Sequence, residues 1–365
     1  MKRFEHVHGG NIARASVKYG IPKDKLIDFS ASINPLGPSK KMIEAVLKNL
    51  KYIKNYPDPE CRELKSALAA YLCIDEDFLV FGNGAAELIY LIVRVTGCKK
   101  AIIPVPTFCE YGLAVLSSGG KIIEILTDER DRFRLPVEKI EDQMPQADML
   151  FLCNPNNPTG RVVHKRIIER VVRKAETHGV MVVVDEAFMD FVAYKENYSC
   201  TSMLEKYGNI ALLYSMTKFF GIPGLRLGAL AAPRDLAAVI NTSKDPWNVN
   251  ILAQAAGTAG LRDKNFIKET KKVVIEEKRF LFKGLSGIDG IKPLPGAANF
   301  MLVNIAETGF KSCELTELLG RKGILVRDCA GFKGLEEGYL RIAVKRRQEN
   351  EMLLDSLREI TEGNK

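Results

Sequence analysis

The sequence predicts an α/β fold, with a large domain on a mostly parallel central sheet followed by a smaller α+β domain. Three observations predict it. Short apolar runs at 78–81, 101–105, 121–126 and 149–153 alternate with amphipathic, helix-length stretches as far as about residue 235, the rhythm of stacked strand–helix units. The run Val180-Met-Val-Val-Val is continuously apolar and ends in Asp185, as a central parallel strand covered on both faces would. After Asp245-Pro-Trp-Asn-Val-Asn250 the texture changes to helical segments and short strands. The expected division is an arm over 1–38, a large domain over 39–245 and a second domain over 246–365.

The opening stretch carries His8-Gly-Gly-Asn11 and then Asp28-Phe-Ser-Ala-Ser-Ile-Asn-Pro-Leu-Gly-Pro-Ser39. It is rich in turn formers and reads as an extended arm lying on another part of the chain, completing the second domain. Its His8-Gly-Gly resembles an esterase oxyanion loop, but no G-x-S-x-G elbow follows. Ser39 can cap a helix over 40–51 with Met42, Ala45, Val46 and Leu50 on one face. Tyr56-Pro-Asp breaks the chain before a second helix at about 60–72. Strand 78–81 runs into Gly82-Asn-Gly-Ala-Ala-Glu87 and a helix to about residue 95. That layout aims free backbone N–H groups at a phosphate, and the missing G-K-[S/T] excludes a Walker A loop. Pro106-Thr-Phe-Cys-Glu-Tyr111 opens the next helix with an aromatic at its mouth. A helix is compatible with 137–143, and another with 165–177, after the stiff loop Asn154-Pro-Asn-Asn-Pro-Thr-Gly160. Beyond residue 250, helices are expected near 251–262 and 264–284, strands at 300–304, 324–327 and 339–344, and a last helix from 348 to about 360.

Composition excludes several classes. The start has no apolar leader region, and no apolar run approaches the ~18 residues that span a bilayer. Eight scattered cysteines without a C-x-x-C pair suggest reduced thiols, and with four histidines no metal site is expected. These features point to a cytoplasmic protein. The net charge of +8 is spread among mixed-sign residues without a basic block, which argues against nucleic acid and for small anionic ligands.

Ser215-Met-Thr-Lys218 lies between two apolar runs, with Arg226 eight residues further on. The lysine amine can condense with an aldehyde while Ser215, Thr217 and Arg226 hold an anion attached to it. Pyridoxal phosphate (PLP) is such an aldehyde. The S-x-x-K of penicillin-binding enzymes is the other reading, but neither S-D-N nor K-T-G occurs. The remaining contacts of PLP can be filled. Asp185 can keep the pyridine nitrogen protonated, Asn157 can reach the ring hydroxyl, Phe108 can stack on the ring, and the Ala85 and Ala86 N–H groups can meet the phosphate.

The order and spacing of N-P-T-G, D-E-A-F, S-x-T-K and R-L-G resemble the fold-type I, aspartate-aminotransferase-like PLP enzymes over essentially the whole chain. The resemblance implies a homodimer with shared sites, in which Tyr56 reaches the partner's cofactor phosphate and Arg341 grips the substrate's acid group. Phe188 stands where many relatives have a tyrosine that contacts the ring oxygen, leaving Asn157 as the neutral partner. Two subfamilies compete. Histidinol-phosphate aminotransferases share the loop motifs. Threonine-phosphate decarboxylases of cobalamin biosynthesis look closer, being similar also at His8-Gly-Gly-Asn11, in the 28–37 stretch, and at Asp185-Glu-Ala-Phe-Met-Asp-Phe191, Pro246-Trp-Asn-Val-Asn250 and Arg327-Asp-Cys-Ala330. The second resemblance implies a phosphorylated amino acid substrate met by His8, Asn34, Asn157, Arg327 and Arg341.

Overall fold

The structure is a computed structural model and describes residues 8–363; the first seven residues of the expected arm lie outside the described residues. The strands in chain order are β1 (Ile27–Asp28), β2 (Leu79–Asn83), β3 (Lys100–Val105), β4 (Lys121–Leu126), β5 (Met149–Cys153), β6 (Met181–Asp185), β7 (Ile210–Ser215), β8 (Leu227–Ala231), β9 (Lys292–Pro293), β10 (Phe300–Asn304), β11 (Ile324–Leu325), β12 (Arg327–Asp328) and β13 (Tyr339–Ala343).

Seven of them form one sheet in the order β2-β8-β7-β6-β5-β3-β4. From β7 to β4 every pairing is parallel, and β8 runs antiparallel between β7 and β2. Parallel strands need helical crossovers, which put apolar cover on both faces. Leu64, Leu68, Ile168, Val171 and Ala253 pack one face through helices Arg62–Leu72, Lys165–Glu176 and Ile251–Leu261. Leu88, Ile92, Ala114 and Ile240 pack the other through helices Ala85–Val95, Glu110–Ser117 and Arg234–Ser243. With both faces covered, chemistry is left to the strand ends.

A second sheet, β12-β13-β10-β9, is antiparallel. Leu281, Leu285, Leu315, Leu319, Leu353 and Leu357 from the last three long helices form its core with Ile342 and Met301. Helix Ile251–Leu261 packs on helix Lys40–Asn49, where Gly260 leaves room for Met42. Helix Lys264–Ser286 carries Phe266 and Val274 in the first core and Leu281 and Leu285 in this one. Packing against the large sheet therefore continues past residue 245.

Two expectations change. The arm is not wholly extended, because Ile12–Tyr19 is a helix whose N-terminus is capped by Asn11 Oδ1, accepting from the Arg14 N–H at 3.0 Å. Only Ala15 of this helix is buried, so it has almost no apolar stripe to read. The single strand expected at 324–327 is two. β11 pairs parallel with β1 of the arm, and past Val326 the chain turns to pair β12 with β13. Among the described residues no helix is long and apolar enough to cross a membrane.

Candidate active site

The carboxyl ends of β5, β6 and β7 open into a cleft of about 470 Å³, within the range that encloses a cofactor and a small substrate. His8, Ala85, Ala86, Phe108, Asn157, Asp185, Ser215, Thr217, Lys218, Arg226, Arg327 and Arg341 all line it. Segments from both ends of the chain thus meet at one sheet edge.

The floor is built by the large sheet. β7 ends at Ser215, and one helical turn, Met216–Phe219, presents Thr217 and Lys218. The Ser215 and Thr217 hydroxyl oxygens lie 2.8 Å apart. The turn Gly82-Asn-Gly84 precedes helix Ala85–Val95, whose N-cap Gly84 supplies no side-chain acceptor, so the first N–H groups face outward. Gly84 has φ 84°, and a Cβ there would stand 2.5 Å from Arg226 Nη2. The missing side chain is what lets the guanidinium lie against the helix mouth. Two N–H groups, two hydroxyls and one arginine converge as a phosphate requires.

Asp185 is buried at the end of β6, with its Oδ1 accepting the Ala187 N–H at 2.9 Å and its Oδ2 accepting the Tyr111 hydroxyl at 2.6 Å. Burial raises its pKa, while the Tyr111 and Ala187 hydrogen bonds and Lys218 pull the other way. Lys218 is half-buried, and its ammonium is depressed to about 8 by burial first, then by Arg341 and Arg226. An amine so placed is partly neutral near physiological pH, as a nucleophile must be. Phe188 forms wall, edge-on to Phe300 at 5.0 Å between ring centroids. These residues fit PLP: an amine for its aldehyde, a carboxylate for its ring nitrogen, an aromatic, Phe108, and a cradle for its phosphate.

The roof comes from the ends of the chain. Arg327 on β12 and Arg341 on β13 are directly opposed across an antiparallel pair, so both reach into the cleft from one face. Arg341 is buried, donates from Nη1 to Asn157 Oδ1 at 2.5 Å and from Nη2 to the Ser30 carbonyl at 2.6 Å, and has no hydrogen-bond partner for Nε. No carboxylate among the described residues forms an ion pair with it or with Arg327. Burial depresses Arg341 to about 10, which still leaves it charged at neutral pH. A buried cation without a counter-ion is costly, and a bound anion removes the cost.

His8 reaches the rim because the arm is clasped twice. Its Nε2 lies 2.8 Å from Glu110 Oε1, and the Tyr90 hydroxyl donates to Glu110 Oε2 at 2.8 Å. Gly10 N–H donates to Ser30 Oγ at 2.9 Å, and Ser30 Oγ donates to Asp28 Oδ1 at 2.5 Å. A Cβ on Gly9 would sit 2.2 Å from the Ser30 carbonyl oxygen. The two halves of the N-terminal signature are therefore one folded contact. His8, Cys109 and Glu110 bring possible ligand atoms within 4.8 Å of one another, and the geometry is that of a hydrogen-bonded clasp.

One expected residue lies elsewhere. Asn34 is not in the cleft; it is buried behind it, with Nδ2 donating to the Phe219 carbonyl at 2.6 Å and to Thr270 Oγ1 at 2.9 Å. Its polar atoms are consumed in strapping the arm to the Lys218 turn, because the proline that follows fixes the chain direction. Tyr56 is 76% exposed and stacks on Trp247, ring centroids 4.3 Å apart. Sequence reading missed Tyr111 and Glu110 as site residues. Both stand in Pro106-Thr-Phe-Cys-Glu-Tyr111, where only the aromatic at 108 drew notice and helical periodicity gives no sign of which side chains turn inward.

The model of the family "Aminotransferase class I and II" matches residues 24–357. The chain is 35% identical to the threonine-phosphate decarboxylase of Salmonella typhimurium over 364 residues, covering 100% of this chain and 99% of that protein. It is 33% identical to the histidinol-phosphate aminotransferase of Methanocaldococcus jannaschii over 353 residues, covering 96% and 92%. Among solved structures, the L-threonine-O-3-phosphate decarboxylase of Porphyromonas gingivalis superposes with a TM-score of 0.80 at 25% identity, covering 92% of this chain and 99% of that one. With its lysine, aspartate and arginine on the strand ends and this match along most of its length, the chain belongs to the aminotransferase class I and II family.

Proposed function

We propose that this protein is a PLP-dependent lyase that decarboxylates O-phospho-L-threonine to (R)-1-amino-2-propanol O-phosphate, a building block of the cobalamin nucleotide loop. The observation that carries the reading is the opposed pair Arg327 and Arg341, with Arg341 buried and in no ion pair among the described residues. Two guanidinium groups and His8 suit a substrate bearing both a phosphate and a carboxylate. The full-length similarity to threonine-phosphate decarboxylase supports it.

When bound, PLP supplies an electron sink for the substrate's α-carbon. Lys218 Nζ is the amine that would hold the cofactor's aldehyde, and it stands where it could return a proton to the substrate's Cα. Asp185 would accept a hydrogen bond from the protonated ring nitrogen. Asn157 would meet the ring oxygen through Nδ2, since its Oδ1 is committed to Arg341. Arg327, Arg341 and His8 would fix the substrate's torsion about Cα, so that positioning would choose carboxylate loss over proton loss. The protein works as a homodimer in this reading. Tyr56 would reach the partner's cofactor phosphate, and the exposed apolar side chains of Leu47, Leu50, Tyr52 and Ile53 support a buried interface. The arm 1–38, a cofactor-holding unit 39–245 and a second unit 246–365 are part of the proposal, with helix Lys264–Ser286 as the strut between the last two.

The similarity to histidinol-phosphate aminotransferase supports a second reading, amino transfer from histidinol phosphate to 2-oxoglutarate. One experiment separates them. PLP-loaded protein given O-phospho-L-threonine without a keto acid should release CO₂ and the phosphorylated amino alcohol catalytically. Amino transfer without CO₂ overturns the first reading in favour of the second.

A further inference from the structure

Tyr111 is fully buried in the first turn of helix Glu110–Ser117. Its ring is fixed on two sides, stacked on Phe151 at 5.0 Å and 10° and edge-on to Phe108 at 5.6 Å and 80°. From that slot its hydroxyl donates to Asp185 Oδ2. The other carboxylate oxygen is engaged by the Ala187 backbone N–H. The Cys153 thiol on β5 borders the same hydroxyl and donates onward to the Pro155 carbonyl at 3.3 Å. Phe108, expected over the cofactor ring, packs edge-to-face with Tyr111, so one side chain braces two of the groups that would hold the ring.

We propose that Tyr111 is the positioning residue of Asp185: its hydroxyl keeps the buried carboxylate anionic and fixes the oxygen that meets the ring nitrogen. The proposal rests on the PLP reading above. The groups facing Asp185 are few: Tyr111 from the helix, Cys153 from β5 and Lys218 from the turn after β7. Of these only Tyr111 donates a hydrogen bond to the carboxylate side chain. Without that bond, burial favours the neutral acid, and a neutral acid holds a protonated pyridine poorly. The carboxyl's pKa then rises, so cofactor retention should fail first on the acid side and recover as pH rises.

The test is PLP dissociation from the holoenzyme, by equilibrium dialysis on both sides of neutrality, for wild type, Tyr111→Phe, Asp185→Asn and the double variant. Tyr111→Phe keeps the ring and its packing; it should weaken PLP retention by about tenfold or more at acid pH, with recovery toward alkaline pH. Asp185→Asn should weaken it at every pH, and Tyr111→Phe should add nothing on top of it. Tyr111→His, which offers an imidazole N–H, should restore part of the loss, and this also covers the case in which the phenylalanine variant misfolds. A Tyr111→Phe protein with wild-type retention at every pH overturns the proposal, and so does a pH-independent loss that adds fully to Asp185→Asn. If wild type itself takes up no PLP, the functional reading falls, and this proposal with it.

Discussion

The floor and the roof of the cleft are built by different means. Floor residues are anchored on the strand ends: Asp185 by the Ala187 N–H and by Tyr111, 74 positions away, Ser215 by Thr217, and both strands by a sheet buried on two faces. Roof residues are tied to the floor and to one another by contacts that span the fold. Arg341 holds Asn157 and Ser30, 184 and 311 positions away, and His8 holds Glu110, 102 positions away. A floor made of strand ends cannot move without breaking the main core, whereas His8, whose side chain is 42% exposed, can leave with its arm. The difference assigns cofactor retention to the floor and substrate choice to the roof.

The largest effect expected from that division is at Lys218. Lys218→Ala should lower CO₂ release by roughly 10⁴-fold or more, as removal of a covalent group does, and PLP should no longer remain attached after borohydride reduction. Next come the roof arginines. Arg341→Met should cost about 2–5 kcal/mol in kcat/KM for O-phospho-L-threonine, since it also unties Asn157. Arg327→Met, half-buried over Phe332, should cost less, about 1–3 kcal/mol. Arg327→Met should not change PLP affinity severalfold; if it does, as measured by dialysis, floor and roof are not separate devices.

The same difference decides what was legible in the sequence. Lys218, Asp185, Asn157 and Arg226 stand in short motifs at the ends of apolar runs, and a run's end is where a parallel sheet exposes its chemistry. Their place in one cleft followed from the sheet alone. Arg327 and Arg341 face each other only because the chain turns at Val326 from one sheet to another, and no periodicity announces that turn. Asn34 shows the cost of reasoning from a motif without its contacts. It stands in the same stretch as Ser30, whose carbonyl holds Arg341, yet its own amide faces Phe219 and Thr270.

Asn34 also gives a stability test that should leave the chemistry alone. Asn34→Ala abandons the Phe219 carbonyl, the Thr270 hydroxyl and the Leu36 N–H inside the protein. Unmade buried hydrogen bonds cost about 1–3 kcal/mol, so thermal unfolding should come several degrees lower. The kcat of the folded fraction should stay near wild type. A large loss of kcat with unchanged unfolding would return Asn34 to the cleft.

The smallest effect is the one that joins the two halves. Lys218 belongs to the floor, yet after burial the next cause depressing its ammonium to about 8 is Arg341 of the roof, then Arg226. Only the neutral amine attacks an aldehyde. The rate at which PLP-free protein captures the cofactor should therefore rise with pH and level off above about 8. Removing a neighbouring positive charge favours the protonated amine, so Arg341→Met should move that levelling-off to higher pH, by a fraction of a pH unit because burial, the leading cause, remains. An unmoved profile would mean that solvent in the open cleft screens the arginine from the lysine, and the roof would then act on substrate alone. A shift toward lower pH would contradict the charge arrangement itself. The upward shift would give the arginine a second task, keeping the lysine ready for the aldehyde until an anion arrives to neutralise the guanidinium.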